Sequence, residues 1–139
     1  MTMTKEQAKY FPQTKEELRN LIKRRIKEEG NEVDLNDIDV SAITDMSELF
    51  AYNRDFNGDI SSWDVSNVIS MNSMFDRCES FNQDLSKWNV SNVTDMMDMF
   101  DNCESFNQDL SKWNVLNVTN KTDMFYNCPI KDEYKPKFK

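Results

Sequence analysis

The sequence predicts an α/β repeat protein: a right-handed β-solenoid of about four 25-residue turns, with a capping helix ahead of the first turn. Three observations carry this prediction. The segment Cys78-Glu-Ser-Phe-Asn-Gln-Asp-Leu-Ser-Lys-Trp-Asn-Val90 recurs letter for letter as Cys103 to Val115, 25 positions later. A copy at a fixed offset marks a unit that cannot bury its own apolar face and must stack on its neighbours. Apolar residues fall into columns at the same offset well beyond the copied segment. Ahead of these columns, one segment has the start, stripe and stop signals of an amphipathic helix.

The helix comes first in the chain. Residues 1–13 read as irregular or loosely helical, punctuated by Phe11-Pro12. Thr14-Lys-Glu-Glu17 is a capping box, in which the threonine hydroxyl accepts from the Glu17 amide and the Glu17 carboxylate reaches back. Leu18, Leu21, Ile22 and Ile26 recur at i, i+3, i+4 and i+8, one apolar stripe. Lys23, Arg24, Arg25 and Lys27 suit the negative end of the helix dipole, and Gly30 suits the C′ position. A helix over 15–29 follows. A basic amphipathic helix also fits a membrane surface or a partner; next to a repeat array it fits best as the cap over an exposed apolar end. The chain divides into an N-terminal segment with this helix (1–34), the repeats (35–130) and a basic tail (131–139).

Turn A spans 35–59, turn B 60–84 and turn C 85–109, while turn D starts at Leu110 and fades after Cys128-Pro129. The first columns are Leu35, Ile60, Leu85, Leu110; then Ile38, Trp63, Trp88, Trp113; then Val40, Val65, Val90, Val115; then Ile43, Val68, Val93, Val118. Met46, Met71 and Met96 follow, with Leu49, Met74, Met99 and Met124, then Phe50, Phe75, Phe100 and Phe125, and finally Phe56, Phe81 and Phe106. Trp88 and Val90 have the period-two spacing of a short half-buried strand. Val93, Met96, Met99 and Phe100 recur at three and four, which predicts a short helix or 3₁₀ segment returning along the other side. One strand and one short helix per unit of about 25 residues is the leucine-rich-repeat layout. The pattern breaks at Lys121, which replaces the column methionine, and at Ile130, one residue short of the Phe106 offset. Pro129 stops further strand pairing, and the tail covers or frays from that end.

Residues 35–128 resemble the bacterial surface-protein repeat of the BspA-like class, close to the repeat of unknown function abundant in mycoplasma lipoproteins. Trp88-Asn-Val-Ser-Asn-Val-Thr-Asp-Met and Met99-Phe-Asp-Asn-Cys-Glu-Ser-Phe-Asn-Gln-Asp-Leu110 carry the resemblance. It implies a leucine-rich-repeat-like solenoid in proteins displayed on cells and used in adhesion or host contact. It implies no particular biochemical activity.

Composition narrows the function classes. The net charge of −8 is uneven: residues 1–30 hold eight Lys/Arg against five Glu, residues 129–139 four Lys against two acids, and 31–128 carry −13. So acidic a body repels phosphate backbones and disfavours nucleic acid. The start has no apolar signal region and no apolar run reaches membrane-spanning length, so the expectation is a chain that does not insert in a membrane. Those features favour the cytoplasm; the resemblance favours the cell surface. An odd cysteine count argues against a disulfide framework. Two glycines leave the turns to Asn, Asp and Ser.

Chemistry has few candidates. The chain has no histidine, so Cys78, Cys103 and Cys128 have no base partner and read as small buried hydrophobes. Asp59, Asp84 and Asp109, beside Asn57, Asn82 and Asn107, form columns that invite calcium but read better as corners bonded to backbone amides. No catalytic residue, metal or cofactor is expected, and a hydrolase is the weakest reading. If Trp88 and Val90 face inward, their neighbours face out. The expected binding platform is Asp37, Asp39, Ser41; Ser62, Asp64, Ser66; Lys87, Asn89, Ser91; and Lys112, Asn114, Leu116. Leu116 stands either as an apolar contact or packed under the tail. The expected function is a noncatalytic protein-interaction module, with a carbohydrate- or matrix-binding adhesin as the alternative.

Overall fold

The computed structural model describes residues 8–138. The readings for residues 1–7 and for Lys139 lie outside the described residues. Helix α1 spans Lys15–Glu29. Thr14 caps it from an extended conformation, its hydroxyl accepting the Glu17 amide at 3.1 Å. The Glu17 carboxylate reaches back one residue further than the capping box predicts, to the Gln13 amide at 2.9 Å. Gly30 ends the helix at φ 94° and ψ 175°, a conformation open in practice only to glycine. Leu18 and Ile22 are buried, while Leu21 and Ile26 pack half-buried at the flank of the stripe.

Beyond α1 the predicted architecture is not what forms. Among the described residues there is one α-helix, one 3₁₀ turn at Asp132–Tyr134, and no strand longer than an isolated bridge. The right-handed β-solenoid of four turns, and with it the leucine-rich-repeat-like strand-and-helix unit, is therefore corrected to a set of 25-residue units built from serial turns. The backbone hydrogen bonds give the reason. The amides of Trp63, Trp88 and Trp113 donate to carbonyls three residues back in their own unit, those of Ile60, Leu85 and Leu110. The segment read as a strand thus spends its amides on turns. Its alternation of inward and outward side chains comes from turn geometry.

The segment read as a short helix is likewise a run of turns. In unit A the amides of Leu49 and Asn53 donate to the carbonyls of Met46 and Phe50, closing one turn after another. The third residue of each such turn, Glu48 or Tyr52, has positive φ (59° and 65°), as type II turns require. The same two positions recur as Ser73 and Arg77, Asp98 and Asn102, Asp123 and Asn127. A turn every four residues produces the same three-and-four spacing of apolar residues as a helix does. The alternate amides point elsewhere: Met46, Glu48, Phe50 and Tyr52 donate to carbonyls of Ser70, Asn72, Met74 and Asp76 at 2.8–2.9 Å. Equivalent sets join the next units, so four parallel bonds tie each unit to the following one. The bridges Asp45–Ser70–Asp95–Asn120 lie on this seam.

Further backbone bonds join the layers, among them those from the amides of Ile69, Thr94 and Thr119 to the carbonyls of Thr44, Ile69 and Thr94, and side chains add more. The indole N–H groups of Trp63, Trp88 and Trp113 donate to the carbonyls of Leu35, Ile60 and Leu85 at 2.9–3.1 Å. Asn67, Asn92 and Asn117 donate to the carbonyls of Ser41, Ser66 and Ser91. The Asn57 and Asn82 carboxamide oxygens accept from the amides of Asn82 and Asn107. Buried polar groups must find partners, and here the repeated Trp and Asn supply what a strand ladder would otherwise provide.

The apolar columns do stack at the 25-residue offset. Phe50, Phe75, Phe100 and Phe125 lie with rings nearly parallel at 5.4–5.6 Å. Phe56, Phe81 and Phe106 follow at 5.9–6.0 Å, and the three tryptophans at 6.4–6.5 Å. Within a unit the two phenylalanines stack at 4.3–4.5 Å, which links adjacent columns into one core. Each offset-stacked pair contributes about 0.5–1.5 kcal/mol beyond its burial. Gly58 stands where later units have Gln83 and Gln108, because a Cβ there would meet the Val33 carbonyl at 2.4 Å.

The tail covers the far end. Leu110 donates to the Tyr134 carbonyl at 2.8 Å, Ile130 and Pro136 are buried, and Phe138 lies against Lys121. Lys121 can occupy the methionine column because there it meets a ring face instead of another layer.

Candidate interaction surface

The expected platform positions recur at the 25-residue offset, but the structure treats the first unit differently from the rest. Residues 9–10 run alongside 37–39: Lys9 donates to the Asp37 carbonyl at 2.8 Å and Asp39 to the Tyr10 carbonyl at 2.8 Å. The Asp37 carboxylate, 18% exposed, accepts from Arg25 at 2.9 Å. Arg25 is itself buried, pairs with Glu29, donates to the Asp34 carbonyl and lies 5.1 Å over the Tyr10 ring. Burial works against its charge, and the bonds to Asp37 and Glu29 outweigh it and hold the guanidinium protonated. Asp37 and Asp39 thus belong to the seam between α1, the segment before it and unit A, while the Ser41 amide donates to Asp39 and its carbonyl accepts from Asn67 of the next unit.

In the following units, the acids and amides of the platform are partly occupied by their own backbone. The Asp64 carboxylate accepts from the Ser66 amide at 3.0 Å, Asn89 from Ser91 at 3.1 Å and Asn114 from Leu116 at 3.1 Å, each an Asx-turn. Ser62 donates amide and hydroxyl to Asn36, and the carbonyls of Ser66 and Ser91 accept from the next layer. Lys87, Lys112 and Leu116 are exposed, and neither lysine makes an ion pair among the described residues. Leu116 is 58% exposed, so it does not pack under the tail. Lys112 borders a shallow hollow of about 300 Å³ with Asp84, Ser86, Gln108 and Asp109.

The column of Asp59, Asp84 and Asp109 forms corners: each carboxylate accepts the amide of the serine two residues on. The bond from Ser111 holds the Asp109 carboxyl below its ordinary value. Among the described residues no group of three or more His, Cys, Asp or Glu is placed to hold a metal ion. The thiols of Cys78 and Cys103 donate to the carbonyls of Phe50 and Phe75 at 3.0 and 2.9 Å, and burial pushes both far above the usual range. Burial also raises the half-buried Cys128.

Sequence reasoning missed a second acidic feature. Asp76, Asp98, Asp101 and Asp123 come together on the turn seam, where burial and then the charge of Asp101 push Asp76 and Asp98 above their ordinary values. Writing the columns 48/73/98/123 and 51/76/101/126 beside the apolar ones would have revealed it. Among the described residues no helix is long and apolar enough to cross a membrane.

Comparison with curated proteins gives no match, and neither does comparison with solved structures. A protein-family model does match, over residues 17–136, from the first turn of α1 into the tail. The mycoplasma part of the resemblance in the sequence is thereby supported, while the strand-and-helix unit implied by its BspA-like part is not the one that folds. The chain belongs to the family described as Mycoplasma protein of unknown function, DUF285.

Proposed function

We propose that this chain is a noncatalytic protein-interaction module whose contact face is residues 62–66, 87–91 and 112–116, centred on Lys87, Lys112 and Leu116. The observation that carries the reading is the exposed Leu116 on the same face as two lysines free of ion pairs among the described residues. An apolar anchor ringed by charge is how specific protein contacts are built. Of the first unit's platform residues, Asp37 and Asp39 fall outside this face, since Arg25 of α1 and residues 9–10 engage them, and Ser41 is bonded to Asp39 beside them. The spacing shared with BspA-like surface repeats supports a contact role in adhesion.

A carbohydrate-binding surface is the weaker reading, because the oxygens of Asp64, Asn89 and Asn114 that would accept from sugar hydroxyls already accept from backbone amides. The test is affinity capture of partners from the source organism with the wild type and with Lys87→Glu, Lys112→Glu, Leu116→Ser combined. Partners retained by the wild type and lost by the variant are the expected result. The same partners on both would assign binding elsewhere, and a hit on a glycan array abolished by the variant would favour the carbohydrate reading.

A further inference from the structure

The seam of parallel amide bonds has an unfinished end. Each of the first three units donates four alternate amides to the unit after it: 46, 48, 50 and 52; then 71, 73, 75 and 77; then 96, 98, 100 and 102. The fourth set, the amides of Lys121, Asp123, Phe125 and Asn127, has no acceptor among the described residues. The tail does not take them up: its backbone bond to the fourth unit is made at Leu110, and near these amides it contributes side chains, Phe138 against Lys121 and Lys135 over Phe125. It leaves instead a groove of about 360 Å³ beside these amides, lined by Lys121, Asp123, Met124, Phe125, Lys135 and Phe138 among others.

We infer that this edge is a docking site for an extended acidic peptide, whose alternate carbonyls accept from the amides of Lys121, Asp123, Phe125 and Asn127. Unpaired backbone donors in regular register are a template for added chain. Charge selects the occupant. Four N–H groups pointing the same way carry partial positive charge, and Lys121 and Lys135 flank the groove against Asp123; Lys135 also pairs at 3.1 Å with Asp132, whose almost fully exposed carboxylate makes that a weak surface pair. Met124 is buried beneath the groove, and the half-buried Phe125, with Lys135 5.7 Å over its ring, is the apolar wall against which a methionine or aromatic side chain packs. The chain itself contains a segment of this kind: Thr94–Asn102 (Thr-Asp-Met-Met-Asp-Met-Phe-Asp-Asn) offers the carbonyls of Asp95, Met97, Met99 and Asp101 to four such amides of the preceding unit. It carries three aspartates and no cation. This edge is separate from the Lys87, Lys112 and Leu116 face and does not depend on its assignment.

The test uses the full chain, isotope-labelled, with a capped synthetic peptide of sequence Thr94–Asn102 and a scrambled peptide of equal composition. Amide exchange of Lys121, Asp123, Phe125 and Asn127 is expected to be fast in the free protein and to slow by about tenfold or more at saturation with the ordered peptide. The scrambled peptide is expected to give less protection, and Lys121→Glu with Lys135→Glu to weaken binding by about tenfold or more. Binding without protection of those amides would overturn the edge assignment, and so would equal protection by both peptides or no binding at millimolar peptide. Protection that grows with protein concentration alone, with a doubled mass in solution, would assign the edge to a second copy and overturn the peptide.

Discussion

Asp98 has φ 56° and faces Asp101 and Asp123. Left-handed backbone is tolerated best by Asn and Asp after Gly, so the short polar side chain suits the turn. Its charge does not. Burial and then the neighbouring carboxylates raise its pKa, as they do for Asp76, so the folded state holds these protons more tightly than the unfolded chain does. The stability such a group contributes is present at low pH and is lost as pH rises through its raised folded value. Asp45 and Asp59 behave in the opposite sense: their bonds to Ser47 and Ser61 outweigh burial and lower their pKa, and that stability is lost as pH falls. Asp98→Asn keeps the left-handed tolerance, the side-chain shape and the amide bond to the Thr122 carbonyl while removing the charge. Thermal unfolding is expected to show a higher Tm for the variant at pH 7. The gap should narrow on acidification to about pH 4, the ordinary carboxylate range. An unchanged or lower Tm at pH 7 would show that the acidic seam is already relaxed by solvent.

Among the elements, α1 was readable from sequence because its signals are local: Thr14, the Leu18/Ile22 stripe and Gly30 each do their work within a turn or two of chain. The repeat units were not, because two different structures share their periodicities. Trp88 and Val90 alternate as a strand would, and Val93, Met96 and Phe100 space as a helix would, yet both patterns come from serial turns whose bonds cannot be seen in apolar spacing. The glycine shortage with Asp, Asn or Ser two residues before so many corner amides was the available sign. The platform suffered from the same reading: alternation placed Asp37 outward, whereas a charged residue on the helix claims it. Arg25 stands at i+7 from Leu18 and i+3 from Ile22, so spacing alone puts it, of the four basic residues near the helix end, on the buried face; what it pairs with there was not legible. Its role is nevertheless testable. Arg25 joins α1 through Glu29, unit A through Asp37 and Asp34, and the preceding segment through Tyr10. Lysine keeps the charge but lacks the planar fork that reaches several acceptors at once. Arg25→Lys is expected to cost about 1–2 kcal/mol in urea unfolding, and Arg25→Ala about 2–3 kcal/mol, below the cost at a fully buried pair because Glu29 stays half-exposed. Equal stability for all three proteins would mean that the apolar stripe alone docks the helix.

Across the whole molecule, each unit touches only the layers on either side, and the second and third interfaces are chemically alike. The four amides of unit B meet carbonyls of unit C, and those of unit C meet carbonyls of unit D at equivalent positions, with the Phe and Trp stacks spaced alike throughout. Stability then approximates a sum of unit terms and neighbour terms. The copied segment permits a sharp trial of this. Deleting residues 79–103 joins Cys78 to Glu104 and, because Glu-Ser-Phe-Asn-Gln-Asp-Leu-Ser-Lys-Trp-Asn-Val follows both Cys78 and Cys103, leaves every column in register. The amides of Met71, Ser73, Phe75 and Arg77 then face the carbonyls of Asn120, Thr122, Met124 and Tyr126, which in the full chain already accept four amides of the same kind. Trp63 comes to lie on Trp113, and both α1 and the tail keep their own layers. The shortened protein is expected to unfold in one cooperative transition, with a lower midpoint and an m-value smaller by about a fifth, in proportion to the surface removed. Deleting 84–103 instead, 20 residues, breaks the offset and should abolish cooperative unfolding, since every Phe and Trp downstream would arrive five positions out of column. If both deletions unfolded alike, the layers would be held by something other than the register of their side chains.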